Sequence, residues 1–210
     1  MYVGRMVAIG RTPAGANVAA YRVSSRSFPN RKAVEIDGRC AVVPREGHES
    51  DIAKNPYIAY NCLRRAADWV VVSNGTQTDP ISEKVAAGMP IRDALALSLL
   101  TLDYEKDEYN TPRIAAAVPL VGNSGWLGTV RRDALVLTEI PLEAGRASYV
   151  ATYEMDDPRQ GQSLALDAAD AAEVARFLVD GGEFAKLTHA VTSAAAVASG
   201  HSFELATLVV

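Results

Sequence analysis

The chain has 210 residues, room for one domain or two small ones, and 49% of them are hydrophobic, enough for a real core. Lysine and arginine total 21 against 25 aspartates and glutamates, and this net charge of −4 argues against nonspecific binding of nucleic acid through bulk charge. No apolar run approaches the roughly 18 residues of a membrane span, the alternating MYVGRMVAIGR opening is unlike a signal peptide, and two cysteines make no disulfide framework, so a reduced cytoplasm is expected.

Tyr2–Arg11 alternates and predicts a strand, Thr12–Gly15 a turn, and Asn17–Ser24 the returning strand of a hairpin. The stretch Arg22–Arg31 reads RVSSRSFPNR, with three arginines, three serines and an asparagine. Phe28 precedes a proline and is biased away from the helical region, so Ser25–Arg31 is expected to be a stiffened loop leaving a strand end. Such a loop suits a phosphate or another oxyanion, because arginine offers a planar fork of donors. A solvated basic turn is the alternative.

Val34–Ile36 and Arg39–Val43 flank Asp37-Gly38 and predict a second hairpin. Pro44–Asn55 is polar and irregular. Periodicity cannot separate strand from helix over Tyr57–Leu63; as a strand it would place Tyr57, Ala59 and Asn61 on one face, Ile58 and Tyr60 on the other. Trp69–Ser73 is β-branched and reads as a buried strand. Asp79 as N-cap and Pro80 at the first position predict a helix ending at Gly88, and Pro90 starts another over IRDALALSLLTLDY. Four strands follow at 113–120, 125–131, 135–140 and 147–153. Asp167 is expected to cap a helix stopped by Gly181, alanine-rich Glu183–Ser199 to be partly helical, and Phe203–Val210 to close the chain as a strand. The order predicts an α+β fold, a layered α-β-β-α sandwich of mainly antiparallel sheets. No linker divides it, so residues 1–210 are expected to form a single domain.

Beside the arginine loop, three islands are more polar than packing requires. In Asn55–Asn61, Tyr60 is either an ordinary core tyrosine or, beside a cation, a general acid or phenolate base. Ser73–Asp79 leads into a helix start, which is an anion site or a plain cap. In Asp103–Arg113, four carboxylates crowd the end of a helix where negative charge is disfavoured. The run is a solvated face, or one of the four is a working acid or base at the edge of the core. His48, His189 and His201 are far apart and no HExxH or CxxC spacing occurs, so no metal site is expected. Gly122–Gly128 lacks dinucleotide spacing.

Taken in order, the islands resemble the archaeal-type inosine monophosphate (IMP) cyclohydrolases. The resemblance lies in MYVGR at the start, YRVSSRSFPNR (21–31), VVPREGHE (42–49), NPYIAYNC (55–62), VVSNGTQTD (71–79), LDYEKDEYNTPRIAAA (102–117) and GGEFAKLTHAVTSAAA (181–196). It implies closure of the purine ring of 5-formamidoimidazole-4-carboxamide ribonucleotide to IMP and water, the last step of de novo purine biosynthesis, in the class of hydrolases acting on cyclic amidines. It also implies the four-layered fold of N-terminal nucleophile hydrolases without autoprocessing; Tyr2 follows Met1, where those hydrolases need Cys, Ser or Thr. The family's catalytic group, carried over, is Arg31, Tyr60 and Glu105, with Arg26, Asn61, Asn74 and Asn110 in binding roles. The partner implied is a small purine ribonucleotide, with no cofactor, metal, nucleic acid or membrane. A homo-oligomer, a tetramer being one form, is expected. Two other classes stand beside this one: an amide hydrolase of the same fold, against which the missing terminal nucleophile speaks, and a non-catalytic purine-nucleotide-binding domain, for which Tyr60 and Glu105 would be superfluous.

Overall fold

The computed structural model describes residues 1–210. Its first hairpin pairs β1 (Arg5–Arg11) with β2 (Asn17–Ser24). The second pairs β3 (Arg31–Ile36) with β4 (Arg39–Pro44) about Asp37-Gly38, both at positive φ, as the tight mirror-image turn requires. A short helix, α1 (Asp51–Lys54), breaks the polar stretch, and β5 (Tyr60–Ala66) and β6 (Trp69–Ser73) follow. Two helices, α2 (Thr78–Ala86) and α3 (Ile91–Leu102), precede the strand run β7 (Arg113–Pro119), β8 (Ser124–Arg131), β9 (Ala134–Pro141) and β10 (Arg146–Ala151). The chain ends with β11 (Ser163–Ala165), α4 (Ala171–Asp180), β12 (Ala190–Ser199) and β13 (Ser202–Val209).

All strand neighbours are antiparallel. One sheet has the order β11-β10-β1-β2-β12-β13, the other β3-β4-β5-β6-β7-β8-β9. The sheets face one another across a shared core that includes Val7, Ile9 and Tyr21 from the first and Tyr60, Val72 and Ile114 from the second. On the far side of the first sheet, Val174 and Leu178 of α4 pack on Met6, Ala20 and Ala195. Each of these two side chains contributes about 1.5–3 kcal/mol by leaving water. On the far side of the second sheet, Ile81 of α2 and Leu95 and Leu99 of α3 pack on Val71 and Ala115.

One open reading is settled and three local expectations are overturned. Over Pro56–Ile58 the chain is a 3-10 turn, not strand, because Asn55 accepts the Tyr57 amide at 2.8 Å and Pro56 opens the turn. Helix α2 begins at Thr78, so Asp79 is inside it and caps nothing; its carboxylate takes Asn61 and Arg64 instead. The cap of α4 is Asp170, whose side chain accepts the Glu173 amide at 2.8 Å, while Asp167 lies too far upstream to reach it. Most consequentially, Ala190–Ser199 is not helical but a strand at the heart of the first sheet, between β2 and β13. Ala194 and Ala196 face the shared core and Ala195 faces α4. Burial on both faces overrides alanine's helical preference, and small side chains let the layers close up.

Arg22 also leaves the role its loop suggested. Alternation along β2 turns it to the α4 side, where it is fully buried. Its guanidinium donates to the carbonyls of Leu178 (2.7 Å), Phe184 (2.9 Å) and Leu187 (2.9 Å). It thus closes off the carboxyl end of α4, where a cation complements the helix dipole. Burial pulls its pKa down to about 10, which still leaves it charged at neutral pH.

Candidate active site

At one end of the sandwich the two sheets bring together polar residues that are distant in sequence. Register pairs Arg5 with Val23 and Val7 with Tyr21, so Arg5 shares the inward face of β1 with Val7 and Ile9. Arg5 Nη2 donates to Glu105 Oε2 at 2.9 Å. Arg113 Nη1 stands 3.9 Å from the other oxygen, Oε1, which is buried without any hydrogen-bond partner. Arg5 Nε and Arg113 Nε are likewise buried and unpartnered. Buried polar atoms are seldom left unbonded; three in one cluster mark positions for a ligand.

Local structure singles out Glu105 from the acidic run. Asp103 pairs with Lys106, Asp107 receives both the amide and the hydroxyl of Thr111 (2.8 and 2.6 Å), and Glu108 is exposed. The Glu105 amide donates to Thr111 O at 2.9 Å, fixing the loop, and its side chain is only 2% exposed. Burial pushes the Glu105 carboxyl above the ordinary range, and Arg5 and Arg113 pull it back only in part. For Arg5, burial works against the charge, but Glu105 and the nearby phenols outweigh it and hold the guanidinium above its usual value.

Tyr60, at the start of β5, points into the shared core, and its hydroxyl lies 2.6 Å from that of Tyr21. Burial raises the Tyr60 pKa, while Arg31, Arg5 and the bond to Tyr21 lower it. Arg31 opens β3 and is 2% exposed, with Nε held by Phe28 O at 3.0 Å. Arg5, Arg31 and Arg113 face the carboxylates of Glu105 and Asp107, Asp103 being paired with Lys106, and the excess of positive charge favours an anionic ligand.

Asn74 serves the cluster from behind. It is buried, accepting from Ile114 N (2.8 Å) and donating to Pro112 O (2.9 Å), and so grips the backbone on both sides of Arg113. Gln77, bonded to Asn74 Oδ1 at 2.7 Å, takes Arg113 Nη1 at 3.0 Å. Asn110 is exposed, at a φ of 48°, and borders a groove of about 570 Å³ with Tyr153, Arg131 and Arg132. Arg26 lies 4.2 Å above the Tyr2 ring, Tyr2 stacks on Tyr153, and the Tyr153 hydroxyl reaches Thr111 at 3.2 Å. Arg26 and Asn110 therefore stand at the rim. Asn61 is not brought to the cluster: its amide donates to Asp79 at 2.9 Å on the α2 side of the sheet.

Sequence reading passed over Arg5, Tyr21, Gln77 and the individual role of Arg113. Arg5 carried a usable signal, an arginine in phase with the apolar face of its own strand. Tyr21 is in phase with Ala19 and Val23 and reads as plain core.

The family model described as IMP cyclohydrolase-like protein matches residues 2–202. An IMP cyclohydrolase of Natronomonas pharaonis is 48% identical over 206 residues, 98% of this chain and 97% of its own. The one from Methanosphaera stadtmanae is 47% identical over 196 residues, 93% of this chain and 94% of its own. That from Methanococcus maripaludis strain C6 is 45% identical over 209 residues, covering 99% of this chain and all of the relative.

Proposed function

Given that the chain belongs to the IMP cyclohydrolase-like family, we propose that it closes the purine ring of 5-formamidoimidazole-4-carboxamide ribonucleotide, releasing IMP and water. The carboxamide nitrogen attacks the formyl carbon of the same molecule, so proximity is built into the substrate. One proton leaves the attacking nitrogen and a second leaves the formamido nitrogen. Both depart with the formyl oxygen as water. The chain must therefore hold the formyl group against the carboxamide, accept protons from nitrogen and deliver protons to oxygen.

The observation that carries this reading is the unbonded Glu105 Oε1, set at the same end of the sandwich as the Tyr60 hydroxyl. Glu105 receives a proton from nitrogen, and Tyr60 gives one to the formyl oxygen. Arg31 supplies positive charge to the alkoxide and to the Tyr60 oxygen. Glu105, once protonated, hands its proton on. The step requires no metal and no covalent intermediate. In this reading Arg26 and Asn110 meet the ribose phosphate at the rim, and Asn74 acts through Arg113.

The same reading takes residues 1–210 as one catalytic domain, because each core cluster draws on strands from both halves of the chain. It takes the α-β-β-α layering as that of the N-terminal nucleophile hydrolases. A cytoplasmic setting accords with the two unpaired, buried cysteines. A homo-oligomer accords with Leu97 and Leu100 of α3, which are exposed and apolar.

The test is ultraviolet absorbance of the purified protein with the formylated ribonucleotide, with chromatographic identification of IMP. Turnover is expected; binding without turnover would leave the nucleotide-binding reading in its place.

A further inference from the structure

We propose that Tyr21 is the positioning residue for Tyr60: its hydroxyl donates to the Tyr60 oxygen and so leaves the Tyr60 proton directed at the formyl oxygen of the substrate. This rests on the reading above, in which Tyr60 is the proton donor.

Two phenols at 2.6 Å place one proton between them, and either could be the donor. If Tyr60 donated to Tyr21, its proton would be withheld from the substrate. Two observations select the opposite direction. The first is burial. Tyr21 is 0% exposed, between Ala19 and Val23 on the inward face of β2, and its hydroxyl reaches the Tyr60 oxygen alone, whereas Tyr60 keeps 7% exposure and can turn its own proton to a ligand. A buried hydroxyl with one acceptor in reach donates to it. The second is charge. Arg5 acts on both hydroxyls, and Arg31 is the strongest positive influence on Tyr60 but not one of the leading influences on Tyr21. Negative charge is therefore better held on the Tyr60 oxygen, and Tyr21 keeps its proton.

During ring closure the Tyr60 O–H bond breaks and its proton passes to the formyl oxygen as the carbonyl becomes a single bond. The Tyr60 oxygen, now phenolate, accepts the Tyr21 hydrogen bond more strongly. The proton released by the attacking nitrogen returns through Glu105 and restores Tyr60. The Tyr21 O–H bond stays intact throughout.

The two rings meet edge-on, with centroids 6.3 Å apart and planes at 73°, so Tyr21→Phe deletes the hydroxyl and keeps the packing. Tyr21→Phe, Tyr60→Phe and the double variant are to be compared by single-turnover kinetics across pH, with IMP titration and circular dichroism. Tyr21→Phe is expected to lower kcat by roughly 10- to 100-fold, the worth of a hydrogen bond to a charged group, with KM and IMP affinity within about twofold. Loss of the donor raises the Tyr60 pKa, so the basic limb of kcat moves to higher pH. The double variant is expected to be no slower than Tyr60→Phe alone, since Tyr21 acts only through Tyr60. Replacing Tyr21 with 3-fluorotyrosine, a stronger donor of the same shape, moves the basic limb the other way. Independent, multiplying losses in the double variant, or an unmoved basic limb in both Tyr21 replacements, would overturn the proposal. Tyr60→Phe at the parent rate would instead remove the reading beneath it.

Discussion

Arg5 and Glu105 are separated by 100 residues of sequence and joined by a bond of 2.9 Å. Arg5 holds one carboxylate oxygen and leaves the other, which faces Arg113 at 3.9 Å, unbonded. The bond to Arg5 therefore fixes the aim of Glu105 and offsets part of the effect of burial on its carboxyl, and it ties the first strand of one sheet to a loop that feeds the other.

Glu105→Gln keeps the shape of the side chain and an acceptor for Arg5 but cannot take a proton. Turnover is expected to fall by roughly 10²- to 10⁴-fold, with IMP affinity changed far less. Single-turnover ring closure and IMP titration measure the two. A variant that cyclises at the parent rate would return the proton to water.

The pH dependence follows from the same carboxyl. Its pKa is raised by burial and lowered by Arg5, and it must be ionised to accept a proton. The acid limb of kcat/KM is thus expected above the ordinary carboxylate range. Arg5→Gln removes a lowering influence, so the limb should move to still higher pH. A limb that stays put or falls would show that Arg5 does not govern this group.

Gly75 tests the support behind Arg113. A Cβ at that position would lie 2.7 Å from both Arg113 Nη1 and Gln77 Oε1. Both atoms end flexible side chains, so Gly75→Ala should fold and shift them rather than unfold the chain. Ring closure is expected to slow by about 10- to 100-fold, the order of effect of a displacement near 1 Å. Melting temperature and kinetics together distinguish this from simple destabilisation.

Arg22→Met separates the helix end from the site. Four carbonyls lose a donor, each at about 1–3 kcal/mol, offset in part because a buried charge is also removed. A net loss of roughly 3 kcal/mol is expected in urea unfolding. The folded variant should bind IMP as the parent does. Weakened binding in a folded variant would restore Arg22 to the anion loop.

Much of the fold could be read in advance because its strands alternate and its turns are marked. Asp37-Gly38 fixed one hairpin, and Asn17–Ser24 came out with the boundaries expected. Alternation failed where both faces are covered: β12 is apolar and small on either side, and alanine by itself says helix. At α4 two aspartates competed for the cap, and Asp170, with Glu173 three residues on, carries the better capping signature; at α2 the helix simply starts one residue before Asp79, with no side-chain cap at all. Of the candidate site, the islands around Arg31, Tyr60 and Glu105 were legible as polar residues out of place. Tyr21 was not, because its partner comes from the opposite sheet, and although Arg5 stands out as an arginine on an apolar face, nothing local names Glu105, a hundred residues away in a loop, as its partner.

The cluster takes Arg5 and Tyr21 from one sheet and Tyr60, Arg31 and Arg113 from the other. No backbone ladder runs between those sheets, so their mutual alignment depends on side-chain packing, on scattered side-chain bonds such as that from Ala33 N to Thr192 Oγ1, and on the loops that join them. Sliding one layer past the other by a few tenths of a nanometre would part the two tyrosines while every strand kept its own hydrogen bonds. Inactivation in mild denaturant should accordingly run ahead of the loss of far-ultraviolet dichroism. Under the proposed reading of the site, its groups act as a vernier for how the two layers sit and are expected to lose alignment before either layer melts.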